Sequence, residues 1–277
     1  MFETFLCTKM RSDTILYSIV IELKAKNNGI ISTYSGQKIH GLFFKLLKEA
    51  NKELADTIHN NTLSKAFTIS TFLNEKIGTP IEFRKGKKYY FRVTFLSDEV
   101  YEIFLTKLYK NRLLRKSIKV GDIYFLINRI FFNESENEWA NTFNIENIIA
   151  KDNFKSVIKL KFITPTLFKI GDKYLKEPDV EKIFNGLLKK FNLYNEIKID
   201  DSIKNKFLDI KIKNKNIKPK KVYLTKFFIE GFIGEVEFEI PKEIVKIVNI
   251  LLEFSFYSGI GYKTTMGFGQ VKILKEG

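Results

Sequence analysis

Cysteine is all but missing from this chain. Cys7 is the only one in 277 residues, which excludes a disulfide framework and a Cys-based zinc site. Histidine is almost as scarce, with His40 and His59 the only two. No HExxH pair occurs, and the acid closest in sequence to a histidine is Asp56, three residues before His59. A two-metal nuclease needs several positioned carboxylates, so neither a metal nor another cofactor is expected. No G-x-S-x-G elbow occurs, and Cys7 has no histidine near it in sequence, so an activated side-chain nucleophile is not expected either. Long apolar runs are absent, and the opening MFETFLCTKMRSDT lacks a signal-peptide pattern. The expectation is a cytoplasmic protein with no membrane partner. Acid is in short supply: 32 Asp and Glu face 47 Lys and Arg, a net charge of +15. Such a field favours polyanions. An AT-rich genome would also enrich Lys, Ile and Asn, and would account for part of that charge.

What is present is enough to fold. Apolar residues make up 44% of the chain, and its length suits one large domain or two small ones. Thr14–Ala25 alternates and is β-branched, which predicts a strand. Ile39, Leu42, Phe43, Leu46 and Leu47 have helical spacing, so Ser35–His59 reads as a helix capped by Ser35 and breaking near Asn51. Lys65–Leu73 and Lys88–Leu96 read as strands, Ser97–Asn111 as a helix and Ile123–Phe132 as a strand. That order, β-α-β-β-α-β, is the ferredoxin-like unit. It recurs as a strand over Ser156–Thr166, a helix over Glu177–Tyr194, a strand pair over Lys221–Ile240 turning near Gly231–Gly234, a helix over Pro241–Tyr257 and a last strand in FGQVKIL. The fold class expected is α+β: two tandem ferredoxin-like domains, residues 1–150 and 151–277.

Two stretches stand out from this framework. Lys204–Lys226 holds nine lysines and one acid, Asp209, and reads either as a solvated loop and edge strand or as an RNA contact. Gly259–Val271, GIGYKTTMGFGQV, has four glycines in thirteen residues. It is not a nucleotide P-loop, because Lys263 follows Tyr262 rather than glycine and no helix of the fold can follow. It reads either as a tight packing turn or as a backbone able to approach a phosphate closely, with Lys263 to neutralise it.

The glycine stretch, together with ITPTLFKIGDKYLKEPD and HGLFFKLLKEANKELADTIHNNTLSKAFTIS, resembles the RAMP superfamily of CRISPR-associated proteins. The first-helix segment with its two histidines resembles, within it, the endoribonuclease that cuts precursor CRISPR RNA inside each repeat. The matching pieces run from about Ser32 to Val271. The resemblance implies two ferredoxin-like domains facing a basic cleft, and metal-independent cleavage in which a ribose 2′-OH attacks its own 3′ phosphate. The products would be a 2′,3′-cyclic phosphate and a 5′-OH. The implied partner is CRISPR repeat RNA, with a place in an effector complex left open.

Imidazole can act as base or acid at neutral pH, which self-cleavage of RNA requires. His59 stands where many family members carry the catalytic histidine after the first helix, and His40 where other branches carry theirs. Lys65 matches a family lysine six residues further on, which could neutralise the scissile phosphate. The family's helix tyrosine is replaced here by Phe44, and Tyr34 is the hydroxyl that could stand in. In the glycine loop, Gly259, Gly261, Lys263, Thr264, Thr265, Gly267 and Gly269 are the implied RNA contacts, through backbone N–H groups, the ammonium and the two hydroxyls. Two other readings stay open: a non-catalytic RAMP subunit that holds guide RNA in a larger complex, and a general RRM-like binder, for which no RNP1-like strand is found.

Overall fold

The computed structural model describes residues 6–7, 15–60, 65–151 and 153–274. Thr14, the first residue of the first predicted strand, lies outside them. The main elements are β1 (Ile15–Ala25), α1 (Ser35–Ala50), α2 (Lys52–Asn60), β2 (Phe67–Leu73), β3 (Lys88–Phe95), α3 (Asp98–Leu113), β4 (Ile118–Val120), β5 (Ile123–Phe131), β6 (Asn141–Asn144), β7 (Val157–Thr166), α4 (Val180–Tyr194), β8 (Lys211–Tyr223), β9 (Phe228–Glu239), α5 (Val245–Ser258) and β10 (Val271–Ile273). They form an α+β protein of two domains.

The first sheet runs β2-β3-β1-β5-β4, with β6 also on β1, and the second runs β8-β9-β7-β10. These pairings are antiparallel. Period-2 alternation gives the first sheet two different faces. Ile19 and Ile21 of β1 with Phe91, Val93 and Phe95 of β3 join α1 and α3 in one core, where Phe43 stacks on Phe67 at 3.9 Å. The opposite face carries Ser18, Thr68, Arg92 and Thr94, all buried although polar. It faces the end of α5, described below. In the second domain Ile183, Phe184, Leu187, Leu188 and Phe191 of α4 pack with α5 and the second sheet.

The predicted first helix does end near Asn51, whose extended backbone (φ −149°, ψ 105°) separates α1 from α2. Its Oδ1 then accepts the Leu54 amide at 3.0 Å and so starts α2. Ser35 is not the cap expected. It is the first residue of α1, buried, and its hydroxyl accepts the Phe72 amide of β2 instead. The predicted strand pair over Lys221–Ile240 is also corrected. The hairpin starts at Lys211 and turns at Leu224–Phe227, closed by Leu224 N–H donating to Phe227 O at 2.9 Å. Gly231 and Gly234 lie inside β9, because a Cβ there would meet Thr166 O at 2.5 Å and Asn216 O at 2.2 Å. Close backbone approach within a sheet, not a turn, is what these glycines serve. The lysine-rich stretch is thus largely β8, an edge strand, and charged lysines suit an edge that must not pair with another chain. Among the described residues no helix is long and apolar enough to cross a membrane.

Candidate active site

Gly36, His40 and Phe44 are spaced i, i+4, i+8 on α1 and so line one stripe of it. The stripe faces the glycine loop of the second domain. His40 Nδ1 lies 2.8 Å from Thr265 O. A carbonyl only accepts, so Nδ1 carries the proton and Nε2 presents a lone pair. Partial burial pushes the imidazole pKa below its ordinary value. The Thr265 carbonyl opposes that shift, and the positive charges of His59, Lys263 and Lys65 reinforce it. The lowered pKa favours the neutral imidazole, and the Thr265 contact sets its tautomer, the form a general base needs.

The other histidine meets the same aromatic ring. The Phe44 ring makes edge contacts with His40 at 4.9 Å and with His59 at 5.3 Å between centroids. Phe44 is thus the shared wall of both imidazoles. His59 itself is exposed, in the last turn of α2. Lys65 donates to Ile58 O at 2.5 Å and His59 O at 2.7 Å, so its ammonium sits on the carbonyl end of that helix, where a cation is favoured. Desolvation holds its pKa below the usual lysine value. Tyr34 is placed differently from a solvent-facing donor. It is 4% exposed, and its hydroxyl donates to Gly267 O at 2.7 Å. Burial pushes its pKa up, which keeps the phenol protonated.

The glycine loop is a packed structure. Gly269 (φ 65°) has Ile260 O only 1.8 Å from where a Cβ would sit, and Gly261 (φ 84°) has Leu167 O at 2.5 Å. The amides of Gly259, Tyr262, Gly267 and Gly269 donate to Ser255, Leu167, Thr264 and Pro165 carbonyls. Among the described residues the amides of Lys263, Thr264 and Thr265 have no backbone acceptor. Lys263 is left-handed (φ 59°, ψ 35°) and opens the single turn Thr264–Met266. An αL residue followed by helical ones turns successive N–H groups the same way, a concavity suited to an anion. Among the described residues the loop's run of successive amides without a backbone acceptor is thereby Lys263–Thr265. Gly259, Gly261, Gly267 and Gly269 shape it.

What fixes the loop is the end of α5, just before it. The last carbonyls of a helix lack intrahelical donors and carry partial negative charge. Arg92 Nη2 donates to Phe256 O at 2.5 Å, Thr94 Oγ1 to Tyr257 O at 2.6 Å, and Lys190 Nζ to Ser258 O at 2.8 Å and Gly259 O at 3.0 Å. Arg92 is 1% exposed, with the Phe256 ring 3.9 Å from its guanidinium carbon, and burial lowers its pKa to about 9. Composition and motif reading passed over Arg92. The signal available was a charge in the middle of the strand, Arg92 within the otherwise uncharged run YYFRVTF.

Comparison with known proteins shows the family. A family model described as the CRISPR Cas6 N-terminal domain matches residues 15–150, and one described as CRISPR-associated endoribonuclease Cas6 matches residues 160–271. A CRISPR-associated endoribonuclease Cas6 of Streptococcus thermophilus is 27% identical over 131 residues, 46% of this chain. The match spans about half (54%) of that relative's length. Among solved structures, a Cas6 product complex superposes with a TM-score of 0.80 at 26% identity, covering 94% of this chain and all of that one. Thermus thermophilus Cas6 superposes at 0.72 with 23% identity, covering 95% of this chain and all of that one, a likeness of fold. With both domains matched in order by the two models, the chain belongs to the Cas6 family of CRISPR-associated endoribonucleases.

Proposed function

We propose that this chain is a metal-independent endoribonuclease that matures guide RNA by cutting CRISPR repeat RNA. The observation that carries the reading is His40, whose Nδ1 is held by Thr265 O, with a second imidazole against the same Phe44 ring. In the proposed reaction His40 Nε2 takes the proton of a ribose 2′-OH as its oxygen bonds to the adjacent phosphorus. The P–O5′ bond breaks, and protonated His59 gives its proton to the departing O5′. One fragment ends in a 2′,3′-cyclic phosphate and the other begins with a 5′-OH. Lys263 and Lys65 lie close enough to His40 for their charges to bear on its pKa, and are the cations placed to offset charge on the phosphate. Tyr34 acts at one remove, by holding Gly267 and so the loop.

The shared strand order supports reading both halves as ferredoxin-like domains, with the boundary at Lys151. β1 lies between β3 and β5 with β2 next to β3, and β7 lies between β9 and β10 with β8 next to β9. The reading as an enzyme rather than a passive RNA-holding subunit rests on the imidazole pair.

Both proton transfers are assigned to imidazoles, so cutting of repeat RNA is expected to run at full rate in EDTA. The downstream fragment should be directly labelled by a polynucleotide kinase, as a free 5′-OH requires. Loss of cutting in EDTA with recovery in magnesium would overturn the metal-independent mechanism.

The contact between α1 and the loop can be tested at Gly36. A Cβ there would stand 2.1 Å from Met266 O, so one backbone must give way. The residue before Met266 supplies the carbonyl that holds His40. Gly36→Ala is expected to slow single-turnover cutting about tenfold, since small misplacements of a reacting group are costly. The melting temperature should fall by only about 2–4 °C for a chain of this size. Gly41 lies on the same helix with open space around it, and Gly41→Ala should leave the rate unchanged.

A further inference from the structure

The glycine loop has a second face, turned away from His40. Gly259–Tyr262 forms one wall of an open cleft of about 540 Å³. Helix α4 forms the other wall with Lys182, Asn185, Gly186, Lys189 and Lys190, and Lys169 stands beside them. No acid lines the cleft. Among the described residues Lys169, Lys182 and Lys189 make no ion pair, whereas in the same domain Lys159 and Lys161 pair with Glu235 and Lys176 with Glu230. Three cations without an ion pair thus line one cleft, which favours an anion there.

Two details of α4 go beyond charge. Gly186 stands inside a regular helix, where glycine is the least favourable residue after proline. It is exposed, its φ is not positive, and nothing lies within 4 Å of where its Cβ would be. Neither packing nor backbone conformation asks for glycine there, but a ligand approaching the helix closely would. Beside it, Asn185 Oδ1 is buried with no hydrogen-bond partner, an acceptor facing no donor of the protein. At the rim the rings of Tyr262 and Tyr174 lie 5.8 Å apart, with Tyr174 well exposed. The wall itself is firm, because Lys190 ties α4 to Ser258 and Gly259. Enclosure lowers the pKa of that ammonium to about 8, and a bound anion would favour its charged form.

We propose that this cleft is a second RNA subsite, outside the cutting centre, that takes a segment of the strand continuing past the glycine loop. The proposal rests on the reading that RNA lies at His40. The lysines meet phosphates, a base stacks on Tyr262, and Gly186 lets the ribose-phosphate backbone lie against α4. Asn185 accepts a hydrogen bond from a 2′-OH, the donor that separates RNA from DNA.

The test uses the full chain and fluorescein-labelled repeat RNA from the source's own CRISPR array, beside an RNA of about six nucleotides centred on the cut. Lys182→Ala with Lys189→Ala, both exposed, is expected to weaken binding of the full repeat about tenfold, and to reduce the slope of log K against log salt by about 1.4, two single-strand phosphate contacts. Gly186→Gln should weaken binding of the full repeat as much, while its melting temperature stays equal or rises, because glutamine is the better helix former. The advantage of the long RNA over the short one should shrink in both variants. With 4-thiouridine in the repeat, crosslinks should map to 168–190 or 259–262. If the parent binds and cuts the repeat but both variants bind it with the parent's affinity and salt slope, the subsite is overturned and the cutting centre stands. If the parent neither binds nor cuts repeat RNA, both readings fall together.

Discussion

A repeat RNA whose only change is a 2′-deoxynucleotide just 5′ of the cut is expected to remain whole. Under the proposed mechanism the nucleophile belongs to the substrate. The 2′-OH is already tethered beside its phosphorus and needs only in-line alignment and a base. His40 can supply the base, with Nε2 free while Nδ1–H is engaged by Thr265 O. Removing one hydroxyl removes the nucleophile and at most one contact, so affinity should stay within about tenfold of the parent RNA, since a single hydrogen bond contributes about 0.5–1.5 kcal/mol. The same change at any other position should leave cutting largely intact. The measurement is a gel comparison of all-ribose and singly deoxy repeats, with binding read in parallel. Cutting of the deoxy RNA at an undiminished rate would mean that water or a side chain attacks.

The next largest effect is expected at the histidines. His40→Ala should lower the single-turnover rate by about 10²–10⁴, the usual span for a general acid or base, with RNA affinity little changed. His59→Ala should cost a factor in the same range. The two are separated by pH. Burial and neighbouring cations keep the His40 pKa below the ordinary imidazole value. A base works only when unprotonated, so the rate should climb as pH rises through that depressed pKa and be level on its account by pH 7. His40→Ala should erase this acid limb, whereas a change that only loosened the fold would leave it in place. Parent-like rates in both variants would remove the imidazoles from the mechanism.

Much of this architecture was legible in local pattern, because local pattern is what helices and strands respond to. The spacing of Ile39, Leu42, Phe43, Leu46 and Leu47 describes α1, and these residues are indeed its buried face. The break at Asn51 was legible as well, since its side chain starts the next helix from three residues away. The hairpin turn was misplaced for an instructive reason. Glycine marks turns in sequence, but at Gly231 and Gly234 the crowding comes from Thr166 and Asn216, strands away in the chain. Ser35 was read as a cap because serine caps helices, and it serves β2 instead.

By itself the sequence determined that this is a basic α+β protein with two histidines, a single cysteine and a glycine-rich stretch near its end. Composition, periodicity and residue type carry that information without reference to partners in space. Only the tertiary structure decided what the parts do to one another. Thr265 holds His40 across 225 positions of chain, and Arg92 reaches Phe256 across 164. Hydrogen bonds of this kind leave no periodic trace in sequence, because a carbonyl is the same atom pair in every residue and its acceptor role depends on where the fold brings it. The tautomer of the proposed base follows from the packing of one domain against the other, the ring shared by the two histidines from the packing of α1 against α2, and the cleft along α4 from the packing of that helix beside the glycine loop.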